Sequence, residues 1–142
     1  MSLIIKNLYL GDIEDVTSFQ FIKRNNIQLI INAAVDVKVP EYDSVEKIIN
    51  LRWKDDNQQK ISFEIFDELY ELIESYIKQD KTVLVNCFAG ISRSSTIVIA
   101  YLMKKNKWSF EEAYEFVIEK RVIVEPNENF QEILRKYEEY LH

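Results

Sequence analysis

The segments Gln28–Ala33 (QLIINA) and Thr82–Val85 (TVLV) are short apolar runs, and they constrain the fold more than any other feature of the chain. Runs of this length and character suit strands buried on both faces. Sheets covered on both faces are built from parallel strands joined through helices. The remaining segments supply what such a fold needs. Leu8–Leu10 reads as a short strand closed by Gly11-Asp12, and Val45–Leu51 as a further strand. From Asp15 to Asn25 the spacing predicts a helix that buries Val16, Phe19 and Ile22. From Ser62 to Gln79 it predicts an amphipathic helix, with Phe66, Leu69, Ile73, Tyr76 and Ile77 on one face and Glu64, Glu68, Glu71 and Glu74 elsewhere. A helix follows the Cys87–Ser94 segment and runs to Asn106. Ser109 and Glu112 have the spacing of a capping box that opens a helix to about Lys120. Pro126-Asn127 starts a terminal helix whose apolar stripe is Phe130, Ile133, Leu134 and Tyr137. Strands alternating with helices predict an α/β fold with a central, mainly parallel sheet flanked by helices.

No repeat, low-complexity tract or Pro/Gly-rich linker divides the 142 residues, so one domain over 1–142 is expected. The net charge of −6 offers no general attraction to nucleic acid or to an anionic membrane, and neither is expected as a partner. Any bound anion has to be held by a local arrangement of donors. The longest apolar run, Thr96–Met103, is too short to span a bilayer, and Lys6 within the first apolar stretch argues against a signal peptide. A single cysteine forms no internal disulfide, which suits a reducing cytoplasm or nucleus. The only histidine is His142, which removes most serine-triad, Cys-His and His-metal chemistries.

The chemistry concentrates in Cys87-Phe88-Ala89-Gly90-Ile91-Ser92-Arg93-Ser94, set between a buried strand and a helix. A loop turning from strand to helix aims successive backbone N–H groups inward and forms an anion nest. The N-terminus of the following helix adds unsatisfied donors and the positive end of its dipole. Gly90 lets the backbone turn without a Cβ in the way. Arg93 presents a planar fork that grips two phosphate oxygens together. Phe88, Ala89, Gly90, Ile91, Ser92 and Arg93 are therefore the candidate phosphate-binding residues. The same positive surroundings favour the thiolate, the nucleophilic form of cysteine, at Cys87.

Here the sequence resembles the dual-specificity branch of the protein tyrosine phosphatases, whose signature is His-Cys, five residues, Arg, then Ser or Thr. The corresponding stretch is NCFAGISRSS, and IKNLYLGD, RNNIQLIINAA, AYLM and RVIVEPNENF resemble family segments in the same order, from about Lys6 to Leu141. The resemblance implies a phosphatase-like α/β fold and hydrolysis of phosphotyrosine and phosphoserine or phosphothreonine in proteins, with no metal and no cofactor. Cys87 is then the nucleophile, Arg93 the phosphate clamp, and Ser94 the hydroxyl that assists breakdown of the cysteinyl-phosphate. The family's general acid is an aspartate on a loop before a helix. In KDDNQQKIS that register falls on Asp55, with Asp56 one residue away. Asn127 matches a position that braces the active-site region, and Arg121 reads as a surface charge. The loop carries no lysine, unlike that of lipid-directed relatives, so phosphoproteins are the expected substrates.

One position departs from the pattern. Asn86 stands where the family has histidine. Asparagine keeps a donor and an acceptor on a shorter arm. That substitution admits an alternative, a phosphoprotein-binding module that keeps the fold and loses turnover. A sulfur carrier of the rhodanese type also uses one cysteine in an arginine-containing loop, but it needs neither a general acid nor a hydroxyl after the arginine.

Overall fold

The computed structural model describes residues 1–142. In chain order the elements are β1 (Ser2–Ile5), β2 (Leu8–Gly11), α1 (Ile13–Val16), α2 (Phe19–Arg24), β3 (Ile27–Ala34), β4 (Lys47–Trp53), α3 (Phe63–Lys78), β5 (Thr82–Asn86), α4 (Arg93–Asn106), α5 (Phe110–Lys120) and α6 (Glu128–Leu141). They form one five-stranded sheet in the order β1-β2-β5-β3-β4. Only the β1–β2 pair is antiparallel; β2–β5, β5–β3 and β3–β4 run parallel. The expected α/β architecture is therefore present. Leu29, Ile30 and Ile31, like Val83, Leu84 and Val85, are fully buried at successive positions. Successive strand residues face opposite sides, so both faces of the central strands are covered.

The first helix departs from expectation. The predicted Asp15–Asn25 helix is two short helices, broken at Thr17-Ser18. Asp12 and Asp15 form a capping box at the start of α1, and the Ser18 hydroxyl accepts from the Phe21 N–H to start α2. Small hydroxyl residues compete for backbone groups in this way and favour caps over helix interiors. The break rotates Phe19 outward, so it is 63% exposed rather than buried and rests edge-on against Tyr42. Two further differences concern strands. Sequence reasoning did not predict β1, which joins β2 through a two-residue turn with Asn7 in the left-handed region (φ 70°). The strand expected at Val45–Leu51 begins at Lys47, because the Val45 N–H closes a turn on the Tyr42 carbonyl, and it continues to Trp53.

The helices are capped largely as the sequence suggests. Ser109 and Glu112 make both bonds of the expected capping box. Asn127 caps α6 by accepting from the Phe130 N–H at 2.8 Å. Glu74, expected on the polar face of α3, is instead buried and accepts from Tyr101 and Lys105 on α4. Burial alone would raise its carboxyl, but the Lys105 and Tyr101 hydrogen bonds outweigh it and hold the pKa below the ordinary 4.5. A lowered carboxylate pKa stabilises the fold above the unfolded value, and that contribution is lost as acid protonates the native group. No helix is long and apolar enough to cross a membrane.

Candidate active site

Strand β5 lies at the centre of the sheet and delivers Cys87 at its C-terminal end, the edge where parallel α/β sheets place their sites. From Phe88 to Ser92 the backbone follows a loop, and α4 begins at Arg93. Each loop carbonyl is held from outside. Phe88 O accepts from the Ile13 N–H at 2.9 Å, and Ile91 O accepts from the Glu125 N–H at 2.9 Å. Gly90 O and Ala89 O accept from the Arg121 guanidinium at 2.9 and 3.4 Å. Ser92 O accepts from Thr96 N–H, Ser95 Oγ and Thr96 Oγ1. By contrast, none of the N–H groups from Phe88 through Arg93 donates to an acceptor in the protein. With every carbonyl turned outward and these donors left unpaired, the loop has the polarity of an anion nest.

Gly90 is required twice over. Its φ of 67° is a left-handed conformation, and an added Cβ would sit 2.5 Å from Arg121 Nη2 and 2.8 Å from Gly11 O. Arg121, which the sequence suggested was a surface charge, is half-buried and braces the loop. Its Nη1 reaches a third acceptor, Ser2 Oγ, at 3.1 Å.

Cys87 is 2% exposed, and its Sγ lies 3.0 Å from Ser94 Oγ in the first turn of α4. The Arg93 guanidinium is buried and held on one side. Its Nη1 donates to Asp36 Oδ1 at 2.7 Å and to Trp53 O at 3.0 Å, while Nη2 lies 3.5 Å from Asp36 Oδ2. Nε has no partner although it is buried. The Nε edge is thus left for an anion while the opposite edge is anchored. Trp53 reaches this position through a local irregularity in β4, where Arg52 adopts φ 61° and the β3–β4 register shifts.

Asp36 is a site residue that sequence reasoning did not reach. The hydrogen bond from Arg93 lowers its carboxyl below the ordinary 3.8, against a smaller opposing effect of burial. The pair therefore stays ionised as pH falls through the ordinary carboxylate range and is lost only at lower pH. Removing the carboxylate with Asp36→Ala leaves Nη1 with the Trp53 carbonyl alone. Charge-assisted hydrogen bonds of this kind are worth about 1.5–3 kcal/mol, so kcat/KM for a phosphate monoester is expected to fall by about 10- to 100-fold. Steady-state rates beside a thermal melt check this; an unchanged rate removes Asp36 from the site.

The two candidate acids occupy different settings. Asp55 is exposed, and its Oδ1 accepts from Asn127 Nδ2 at 2.7 Å. Asn127 also donates its backbone N–H to Ser92 Oγ at 2.9 Å, so one residue joins the Asp55 loop to the Cys87 loop. The Asp56 carboxylate is turned into its own loop, where Oδ1 accepts from the Gln58 and Gln59 N–H groups, both at 2.9 Å. Asn129 fastens the same loop to α6 by donating to Asp56 O at 3.2 Å and Gln59 O at 2.9 Å. No sequence signal singled out Asn129.

Asn86 is fully buried, and its Nδ2 donates to Asn32 Oδ1 at 3.1 Å. Asn32 in turn accepts from the Ala34 N–H and donates to Asn50 Oδ1 at 3.0 Å. The side chain that replaces the family histidine therefore bonds across the sheet to β3 and not into the loop, and its Oδ1 has no partner. The register pairs Gly11 with Asn86, Asn86 with Asn32, and Asn32 with Asn50. A polar row thus crosses the sheet directly beneath the site. Its sequence signal was an asparagine following the apolar run in each of three strands (IIN32, IIN50 and LVN86).

A mainly parallel sheet that presents a Cys-x5-Arg nest at the end of its central strand defines the class: a protein phosphatase domain. The family description "Dual specificity phosphatase, catalytic domain" matches residues 8–140, and the chain belongs to that family of protein phosphatases. Among curated proteins, it is 38% identical over 95% of its length to human Dual specificity protein phosphatase 16, of which it spans 20%. It is 35% identical to Dual specificity protein phosphatase 1B of Arabidopsis thaliana, over 97% of this chain and 81% of that protein. The crystal structure of human DUSP28 superposes with a TM-score of 0.91 at 25% identity, covering 99% of this chain and 97% of the other.

Proposed function

We propose that this chain hydrolyses phosphotyrosine and phosphoserine or phosphothreonine in proteins through a cysteinyl-phosphate intermediate. The observation that carries this reading is the polarity of the Cys87–Arg93 loop, with its carbonyls tied outward and its N–H groups unpaired around the Cys87 thiol. Phe88 and Ala89 are exposed at the loop mouth, so the nest opens at the surface. A shallow opening admits the short phosphoserine side chain as well as the longer phosphotyrosine.

In the first step Cys87 Sγ attacks phosphorus, the bond to the substrate oxygen breaks, and Asp55 gives its proton to that oxygen. The loop N–H groups and Arg93 hold the equatorial oxygens, where charge spreads in the transition state. In the second step water attacks the cysteinyl-phosphate and passes a proton to the Asp55 carboxylate. Ser94 Oγ, 3.0 Å from Sγ, donates to the sulfur as the thiolate departs. The Asn127 bridge favours Asp55 over Asp56 for the acid, because the Asp56 carboxylate is already bonded within its own loop.

The direct test is rapid quenching with an aryl phosphate followed by intact-protein mass spectrometry. A transient mass increase of one phosphoryl group, mapped to Cys87, is the expected result. Turnover without such an adduct, or with the adduct elsewhere, overturns the mechanism. An adduct also separates this reading from the binding-only alternative that Asn86 admits.

A further inference from the structure

The chain holds most of its hydrophobic surface inside, yet several large apolar side chains stand exposed beside the nest. Phe88 is 47% exposed, Val122 81% and Ile123 50%. Two separate segments carry them, and Arg121 ties those segments together. Its Nε and Nη2 hold Gly90 O and Ala89 O, and its Nη1 holds Ser2 Oγ. Val122 and Ile123 form the tip of a turn closed by the Val124 N–H on Arg121 O at 3.2 Å. Both ends of that turn are pinned to the nest loop, at Arg121 on one side and by the Glu125–Ile91 bond on the other. The tip therefore rides on the shoulder of the loop with its side chains in solvent. Arg121 turns its three nitrogens to neutral acceptors in Gly90, Ala89 and Ser2, so it braces these segments without an acidic partner. Glu125, at the end of the same turn, is also exposed.

Large apolar side chains exposed on two segments fastened to each other suit a binding site. Phe88 directly follows the nucleophile, so the patch is continuous with the place where the phosphorylated side chain must enter. Each residue of an extended peptide advances about 3.3 Å, so residues one to three positions from the phosphorylated one reach the shoulder. We infer that Phe88, Val122 and Ile123 seat the apolar side chains next to the phosphorylated residue, and that this chain selects phosphoproteins with hydrophobic flanks. The inference rests on the proposed phosphatase activity and adds its substrate preference. An acidic flank is disfavoured because its charge would lose water against apolar side chains.

The test compares matched phosphotyrosine peptides carrying Leu, Ser or Glu at the flanking positions, with p-nitrophenyl phosphate as a substrate without flanks. The expected result is a kcat/KM about tenfold higher for Leu than for Ser, and lower again for Glu. The double substitution Val122→Ser with Ile123→Ser should bring the Leu-to-Ser ratio close to one while p-nitrophenyl phosphate turnover is unchanged. Peptide binding to the Cys87→Ser protein should rank the flanks identically, which reads the preference without turnover. If p-nitrophenyl phosphate is hydrolysed but the flanks are not distinguished, the inference is overturned and the phosphatase reading stands. If neither substrate is turned over yet Cys87→Ser still ranks the peptides, the phosphatase reading fails and the docking surface stands. A double variant that keeps the preference overturns the inference. So does one that changes only the oligomeric state in sedimentation, or only binding to phosphatidylcholine vesicles, because the patch then serves a second copy or a bilayer.

Discussion

Cys87→Ser is expected to lower turnover of any phosphate ester by at least about 10³-fold while leaving oxyanion binding in place. The hydroxyl is a poor nucleophile at neutral pH, but the change leaves the anion site intact. The carbonyls of Phe88, Ala89, Gly90 and Ile91 are held by Ile13, Arg121 and Glu125, not by the thiol, so the nest keeps its shape. Arg93 keeps its Asp36 and Trp53 anchors. Calorimetric titration with tungstate should therefore give similar affinities for the variant and the parent protein. Retention of more than a few hundredths of the parent rate excludes Cys87 as the nucleophile. Loss of rate together with loss of tungstate binding indicates a collapsed loop rather than a missing nucleophile.

The second large effect concerns the proton donor. Asp55→Asn should slow hydrolysis of esters with poor leaving groups by about 10²-fold or more, within the usual range for general acid–base catalysis. Esters whose leaving group needs no proton should lose much less. The descending limb that a general acid imposes on the rate as pH rises should also disappear. Asp56→Asn is expected to act differently, through the loop. The Asp56 carboxylate accepts the Gln58 and Gln59 N–H groups, so its loss loosens the turn without changing the dependence on leaving group. Rates across a series of substituted aryl phosphates separate the two outcomes. If Asp56→Asn gives the leaving-group dependence and Asp55→Asn does not, the acid sits one residue further along.

Much of the site was legible because its chemistry is local. Cys87, Gly90, Arg93 and Ser94 lie within eight consecutive residues, and a strand-to-helix turn of that composition has few other uses. The capping box at Ser109 and the cap at Asn127 were legible for the same reason, since each closes over three residues. Residues that act at long range were not legible. Asp36 lies 57 positions from Arg93, and Asn129 lies 73 positions from the Asp56 carbonyl that it holds. Neither belongs to a pattern that spacing can reveal. Arg121 was assigned to the surface because a lone arginine at a helix end usually is one; its three acceptors come from two distant segments.

The sequence by itself determined the alternation of buried strands and helices, the place of the nest between β5 and α4, and the cysteine and arginine it contains. Those features follow from side-chain polarity read at the period of each element and from one compact loop. Only the tertiary structure decided how the nest is held and what surrounds it. The packing of sheet and helices chose which edge of Arg93 remains free, which of two adjacent aspartates faces the Asn127 bridge, and which way Asn86 turns its amide. It also broke the first helix at Ser18 and left Val122 and Ile123 standing beside the loop. Each of these depends on hydrogen bonds between segments tens of residues apart, and such partners are brought within reach only when the chain has folded.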